Sequence, residues 1–464
     1  MQKNADQKVT VVGTGLVGSL LSIFLAKRGF KVKAFERRPD MRKETVSAGR
    51  SINLAISVRG IHALKQVGLE NEISKMMIPM RGRMIHPKSG ALAYQPYGMS
   101  DGDCINSISR GDLNKALMTA AEKAGVAIHF NERATHFDLK TGAVEFKNEK
   151  TQVQSPIHSS FVFGTDGSAS ALRIQLSSLA GYTSSETPLA HGYKELVLPA
   201  KGDGLFYLEK NALHIWPRGN YMLIALPNFD GSFTCTLFLP NEGPLSFQSL
   251  KTPEQVHLFF KEQFSDIVPL MPKLTEEYFG NPTGHMYTVK SFPWNYKSTC
   301  LLLGDAAHGI VPFFGQGMNA GFEDCTVLDD FLVKALATQG PLDWEQIALG
   351  FANSRKPNTD AIADLAVENF VEMRDKTGSP QFLLEKEVER ILQREFPRDY
   401  FSRYSMVSFS RIPYQIAYEA GLIQSEILRE LCSGIKNVGE LNLSRAANLI
   451  SAKLSPWMRA KFPA

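Results

Sequence analysis

One stretch near the start of the chain restricts the fold more than any other. Residues 9–38, VTVVGTGLVGSLLSIFLAKRGFKVKAFERR, set G-x-G-x-x-G at Gly13, Gly15 and Gly18. The preceding KVTVVG is a short β-branched run that reads as a buried parallel strand. Val17 to Arg28 reads as a helix stopped by Gly29, and KVKAFER reads as the next strand. A glycine triplet in a strand–turn–helix–strand context has a physical use. Gly13 permits the tight turn, Gly15 lets backbone approach a pyrophosphate, and Gly18 lets helix and strand pack closely. The helix N-terminus adds free N–H groups and partial positive charge. Glu36 ends the second strand 23 residues after Gly13. A carboxylate there accepts from ribose hydroxyls and repels a 2′-phosphate, which favours FAD or NAD over NADP. Arg37 and Arg38 stand where they could reach the adenosine end. A bare fingerprint would also suit a ligand-free glycine turn; strand, helix and Glu36 together count against that.

The rest of the chain alternates in character. DLNKALMTAAEKAG reads as a helix feeding the strand VAIHF, and AVEFK and SSFVFGTDG follow as strands. From His191 to Pro240 short alternating strands separated by Gly219, Asn220, Asp230 and Gly231 predict an antiparallel sheet. Parallel character returns at CLLLGDAAH, followed by a long helix starting near Asn319. Mainly helical sequence then runs to the end, interrupted at Pro341, Pro357, Pro380 and Pro397. The expected fold is α/β: a Rossmann-like FAD-binding domain with an inserted antiparallel β-sheet substrate domain and a C-terminal helical region. The expected boundaries are residues 1–80, 100–185 and 286–375 for the discontinuous FAD domain. Residues 81–99 and 186–285 form the substrate sheet, and 376–464 the helical region.

Two later motifs separate FAD from NAD. FVFGTDGSASALR sets Asp166 and Gly167 after a strand, with Arg173 beyond. CLLLGDAAHGIVPFFGQGMNAGFED sets Gly304 and Asp305 after another strand. Fingerprint, DG segment and GD segment, in that order, resemble the flavoprotein aromatic hydroxylases of the para-hydroxybenzoate hydroxylase fold. That resemblance implies that Asp305 binds ribityl or ribose hydroxyls of FAD. It implies that Gly317, Met318 and Asn319 present a helix N-terminus to the flavin, and that Arg110 reaches the pyrophosphate. Asp166 would be mainly architectural, and Val17, Ala55 and Ala134 would also line the cofactor. Gly315, Gly317 and Ala320 spell a second G-x-G-x-x-A, but no strand precedes it. NADPH would therefore bind transiently, without a domain of its own.

GRSINLAIS, MRGRMIHP, QPYG, HGYKEL, NALHIWP, AVENFVEM and RYSMVSFSR carry a narrower resemblance, to the members of that family that hydroxylate L-kynurenine. It spans most of the chain, from about Val9 to about Tyr414. Such a substrate has an aniline ring and an amino-acid tail, and a guanidinium can grip the tail carboxylate through two parallel hydrogen bonds. Arg83 suits that role, and the resemblance adds Tyr97, Tyr404 and Asn369. Met373 lies four residues from Asn369 and shares its helix face. Phe313, Leu213, Met222, Leu226 and Phe238 would surround the ring, with Thr236 and Gln316 as polar neighbours. Taken singly, Arg83 could be a surface arginine and the two tyrosines could be core residues. His214 and His308 read as structural, and Cys300 and Cys325 as buried thiols. No catalytic residue is assigned: the resemblance implies that NADPH reduces FAD, O2 adds at flavin C4a, and the hydroperoxide hydroxylates the ring, a step of tryptophan catabolism.

Composition narrows the alternatives. The formal net charge of +4 on 464 residues gives no reason to expect nucleic acid. Five scattered cysteines without CxxC spacing predict neither a disulfide framework nor a metal site. The polar MQKNADQ start and the tail SPWMRAKFPA lead to an expectation of no signal peptide, no membrane anchor and a cytoplasmic enzyme. The oligomeric state stays open, a homodimer included. Two other functions also stay open: a flavin hydroxylase or epoxidase of another aromatic or isoprenoid acid, and a non-catalytic FAD-binding interaction module.

Overall fold

The computed structural model describes residues 7–44, 53–100, 102–376 and 379–461. Gly49 to Ile52 of the GRSINLAIS segment lie outside these residues. Two units are each assembled from three stretches: Met1–Met77, Ile108–Leu189 and Met286–Ala363 in the first, Ile78–Ser107, Ala190–His285 and Asp364–Ala464 in the second.

The first unit carries a six-stranded sheet in the order Asn295–Tyr296, Cys300–Leu302, Phe161–Gly164, Lys8–Val12, Lys31–Glu36, Ala127–Phe130. All neighbours run parallel except the Asn295–Tyr296 edge. Val9, Val11, Phe161, Val162, Phe163, Leu301 and Leu302 are fully buried, because such a sheet is covered on both faces. The helix Leu16–Lys27 buries Leu20, Leu21, Phe24 and Leu25 against it. Gly29 follows in the left-handed region at φ +87°, where a side chain would be strained. The helix Arg110–Lys123 starts at Ser109, whose side chain accepts from Asp112 N.

The second unit contains the greater part of a seven-stranded sheet. After Gly284–Phe292 at one edge, its order is Thr183–Leu198, Phe233–Pro240, Met222–Pro227, Ala212–Pro217, Gly82–Ile85, Ala93–Pro96. The antiparallel expectation holds for the pairings among the strands from His191 to Pro240, whereas Gly82–Ile85 runs parallel to Ala212–Pro217. Strand alternation gives the sheet two different faces. Leu196, Trp216, Leu223, Ala225, Cys235 and Leu237 point to one side, where they meet Phe259 and Phe260 of the helix Pro253–Gln263. That helix opens with a reciprocal Thr252–Gln255 capping box. The helices Pro380–Glu395, Arg403–Ser408 and Tyr414–Cys432 belong to the same unit, and Gln424 Nε2 donates to Phe401 O at 2.7 Å.

One expected interruption is absent. Pro357 lies inside the continuous helix Trp344–Val371. An interior proline costs about 3 kcal/mol and one backbone hydrogen bond. Here Phe351, Ala352, Ile362, Leu365 and Ala366 on either side of it are buried, and their burial offsets that cost. Pro380 behaves differently: it occupies the first turn of its helix, where no N–H is needed.

Candidate active site

The fingerprint turn is set by close backbone approach. Gly13 has φ +92° and donates to Phe35 O at 2.7 Å. A Cβ on Gly18 would stand 1.9 Å from Gly13 O, so only glycine lets the helix sit this near the strand. A Cβ on Gly15 would meet nothing within 4 Å. That space lies at the start of the Leu16–Lys27 helix, whose first N–H groups have no side-chain cap. Thr165 Oγ1 donates to Val12 O or Gly13 O at 2.9 and 2.8 Å, tying the DG segment to the turn. Buried Glu36 accepts from Thr14 N at 3.0 Å and from Arg38 Nε at 2.9 Å, while Arg37 is exposed.

The GD segment converges on the same turn. Val17 packs against Gly304 and Gly321, and Arg173 bridges the DG and GD segments by donating to Ser168 O and, at 3.1 Å, to Ala306 O. Asp305 is open to solvent, yet the surrounding protein desolvates its carboxyl and pushes it up, against the opposing influence of Arg110 and His308. Both observations suit a carboxylate at the floor of an open cleft. Asp166 Oδ2 accepts from Ala171 N at 2.7 Å, its buried Oδ1 has no partner, and burial pushes this carboxyl up too. The helix Gly317–Ala337 begins without a side-chain cap after Gln316. Asn319 accepts from Ser57 N at 2.9 Å and donates to Ala55 O at 2.9 Å and Gly315 O at 2.8 Å, which brings Ala55 to the Gly317–Met318 turn. Phe313 sits on the short Pro312–Phe314 helical turn before it. Ala134 is paired with Phe146 in a separate three-stranded sheet. Open space at Gly15, uncapped helix N-termini, the orphan Asp166 oxygen and the solvent-open Asp305 fit a dinucleotide with hydroxyl groups to bind.

Sequence reasoning missed the scaffold beneath this loop. Asp324 is fully buried and accepts from Gly304 N at 3.0 Å and Arg355 Nε at 2.8 Å, with His308 Nε2 at 2.6 Å. Arg355 also reaches Glu323 at 2.7 Å, and Arg59 closes the network on Glu323. Burial works against the Asp324 charge, but His308 and Arg355 outweigh it and hold the carboxyl below the usual range.

In the second unit, Arg83, Tyr97 and Tyr404 come together. The guanidinium lies 5.6 Å from the Tyr97 ring centroid and 5.2 Å from that of Tyr404. The two rings stack at 5.2 Å and 13°. Arg83 Nε and the Tyr97 hydroxyl are buried without a partner of hydrogen-bond geometry. Burial opposes the Arg83 charge, yet Tyr404, Tyr97 and Glu372 together hold it above the usual arginine range. Glu372 was missed, although it falls between Asn369 and Met373 on one helix face. Asn369 Nδ2 lies 3.3 Å from Met373 Sδ. The pairings Arg83↔Leu213, Met222↔Phe238 and Ile224↔Thr236 set Arg83, Leu213, Met222, Leu226, Thr236 and Phe238 on one sheet face, opposite the apolar core. Phe313 and Gln316 lie in the first unit.

A family model described as an FAD binding domain matches residues 6–189. The tetrameric form of 2-methyl-3-hydroxypyridine-5-carboxylic acid oxygenase shares the fold, with a TM-score of 0.64 at 19% identity over 84% of this chain and 98% of that one. Pseudomonas aeruginosa PqsL in complex with 2-aminobenzoylacetate gives a TM-score of 0.59 at 18% identity over 79% and 99%. Fold and site together define an FAD-dependent aromatic monooxygenase. A kynurenine 3-monooxygenase of Myxococcus xanthus is 55% identical over 460 residues, 99% of this chain and 98% of that protein. One from Dictyostelium discoideum is 43% identical over 460 residues, 97% and 99% of the two chains. The chain belongs to the kynurenine 3-monooxygenase family.

Proposed function

We propose that this protein converts L-kynurenine to 3-hydroxy-L-kynurenine, with FAD held by the first unit and NADPH and O2 consumed. The observation that carries the reading is the Arg83–Tyr97–Tyr404 cluster: a half-buried cation with two phenols and a buried, unused Nε donor, set on an apolar sheet face. Bound FAD, once reduced by NADPH, supplies the activation of O2 that no side chain can.

The chain's own residues do the rest. Gly13, Gly15, Gly18 and the uncapped N–H groups receive the pyrophosphate, with Arg110 as its cation. Glu36 and Asp305 accept from hydroxyl groups, with Arg37 and Arg38 toward the adenosine end. Gly317, Met318 and Asn319 offer the positive end of a helix to the flavin. Arg83 grips the substrate carboxylate, Tyr97 and Tyr404 donate to it, and Asn369 contacts the amino-acid end. Leu213, Met222, Leu226 and Phe238 give the ring a dry surface, with Met373 and Thr236 beside them. A dry site matters because water diverts activated oxygen to H2O2. The cytoplasmic location belongs to the same proposal, supported by five free thiols. Among the described residues, no helix is long and apolar enough to cross a membrane.

The test is NADPH consumption with L-kynurenine and a panel of aromatic and isoprenoid acids, with mass spectrometry of the product. Kynurenine-stimulated consumption yielding a product one oxygen atom heavier supports the reading. Stimulation only by another acid, or by none, overturns it.

A further inference from the structure

Behind the sheet face that carries Arg83, two imidazoles form a hydrogen-bonded line. His214 follows Leu213 on its strand, so its side chain points to the opposite side. Asp266 Oδ2 lies 2.9 Å from His86 Nδ1, His86 Nε2 lies 2.9 Å from His214 Nδ1, and His214 Nε2 lies 2.9 Å from Glu209 O. Both rings are buried, at 4% and 2% exposure. Trp216 stacks on His86 at 4.0 Å and donates its indole N–H to Asp266 at 2.8 Å. Phe233 meets His214 edge-on.

The line can be solved for its protons. A backbone carbonyl only accepts, so His214 Nε2 carries a hydrogen. Asp266 also accepts. Burial works against its charge, but hydrogen bonds from His86 and Trp216 hold its carboxyl below the ordinary range. His86 Nδ1 therefore carries a hydrogen too. The remaining nitrogen–nitrogen contact needs one more, since two lone pairs at that distance repel. Three protons on four ring nitrogens amount to one positive charge shared by two rings.

We propose that His86 and His214 hold this one proton between them as a positioning device for the Arg83 strand. Gly82–Ile85 and Ala93–Pro96 form an edge hairpin that carries Arg83 and leads into Tyr97. The hairpin joins the rest of the sheet along one short ladder, from Ala212↔Gly82 to Ile215↔Ile85, continued by His86 N donating to Ile215 O at 2.8 Å. The dihistidine bond straddles that ladder. Loss of its proton sets two lone pairs against each other in a buried site and opens the link.

The charged groups facing the pair are few. Asp266 comes from the loop after the helix Pro253–Gln263. Arg218, at the end of the Ala212–Pro217 strand, donates to His86 O at 2.9 Å and to Gln263 O at 2.6 Å. Glu209 presents its carbonyl, while its carboxylate accepts from Asn211 N. Lys88 is exposed and bonds to Gln263. The effect on substrate binding rests on Arg83 as the carboxylate partner; the proton count does not.

The test uses the FAD-loaded enzyme in two arms. In ¹⁵N-histidine NMR, His214 should show protonated Nε2, and one proton should leave the two rings together as pH is raised from about 5 to about 8, the range histidine samples. Two independent rings, each losing its own proton, would overturn the proposal. In the second arm, KM for L-kynurenine should rise about tenfold over that range, the scale of one lost hydrogen bond, with kcat little changed. His86→Gln keeps a permanent donor near the Nε2 position and should hold KM flat at the low-pH value. His86→Leu should hold it flat at the high-pH value. A His86→Gln profile that parallels the wild type would sink the idea, even if His86→Leu does not fold. Failure of the kinetic arm with an intact NMR result would fault the Arg83 assignment instead.

Discussion

The carboxylate of Asp324 accepts the backbone N–H of Gly304 at 3.0 Å, so the turn presenting Asp305 is fastened to the interior of the Gly317–Ala337 helix. Three donors meet on this one side chain, and an amide cannot accept from all of them with both of its heavy atoms. Asp324→Asn should therefore leave a buried donor unpaired and cost about 3 kcal/mol, the scale of breaking a buried ionic network. The expected outcome is FAD released from the holoenzyme at least about tenfold more readily, with a lower Tm. Flavin fluorescence and thermal melting read the two effects. Unchanged values for both would mean that the anchor is idle.

The fingerprint glycines should separate by experiment. Gly15 has free space around it, so Gly15→Ala should leave the stability of the FAD-free protein unaltered while weakening FAD. Gly18→Ala brings a methyl group to 1.9 Å from Gly13 O and must push the helix off its strand. Overpacking of that kind costs about 1–3 kcal/mol. Chemical denaturation of both variants without FAD distinguishes them. Equal loss of stability would contradict the assignment of the space beside Gly15 to the cofactor.

Arg83→Ala should raise the KM for kynurenine by roughly 30-fold or more, the worth of about 2–3 kcal/mol for charge-assisted hydrogen bonds. FAD content should not change, because Arg83 belongs to the second unit. Arg83→Lys should recover only part of the loss, since an ammonium cannot match two carboxylate oxygens at once. A wild-type KM in the alanine variant would remove Arg83 from the clamp.

Acid should weaken the fold in two stages. Burial and the neighbouring His86 push His214 down to about 4, so beyond the one proton it shares with His86 the folded pair refuses a second that the unfolded chain takes up. Its contribution is fully present above the ordinary histidine value of about 6.5 and is lost as pH falls toward 4, up to about 3 kcal/mol. Asp324 and Asp266 are held low when folded, so their contributions are lost at still lower pH. His214→Gln keeps a donor for Glu209 O and should flatten the first stage only. Denaturation midpoints between pH 7 and 4 check this, and an equally steep decline in both proteins would count against it.

What could be read in the sequence was local and periodic. KVTVVG announces a doubly covered strand because its side chains leave no polar face. The alternation in YMLIALPN and SFTCTLFLP sets Met222, Leu226, Thr236 and Phe238 on one side without any knowledge of their partners. Asp324, Glu323 and Arg355 were illegible for the opposite reason. Charges at those spacings on a helix look like a solvated face, and only the packing of distant segments shows them facing inward. The shared line through His86, His214 and Asp266 joins residues far apart in the chain, which no spacing rule connects. Pro357 misled because local propensity, normally decisive at proline, was outweighed by burial on both sides of it.

The strand Phe161–Gly164 pairs with Lys8–Val12 on one side and with Cys300–Leu302 on the other. During synthesis its second flank has no partner until the ribosome has passed residue 302. At ~5–20 residues per second that wait is on the order of ten seconds. Through that interval a hydrophobic strand edge stands open in the nascent chain, a template for mispairing. Cells making this protein must therefore shelter a half-finished sheet, and fragments ending before residue 300 should collect in inclusion bodies rather than as smaller flavoproteins.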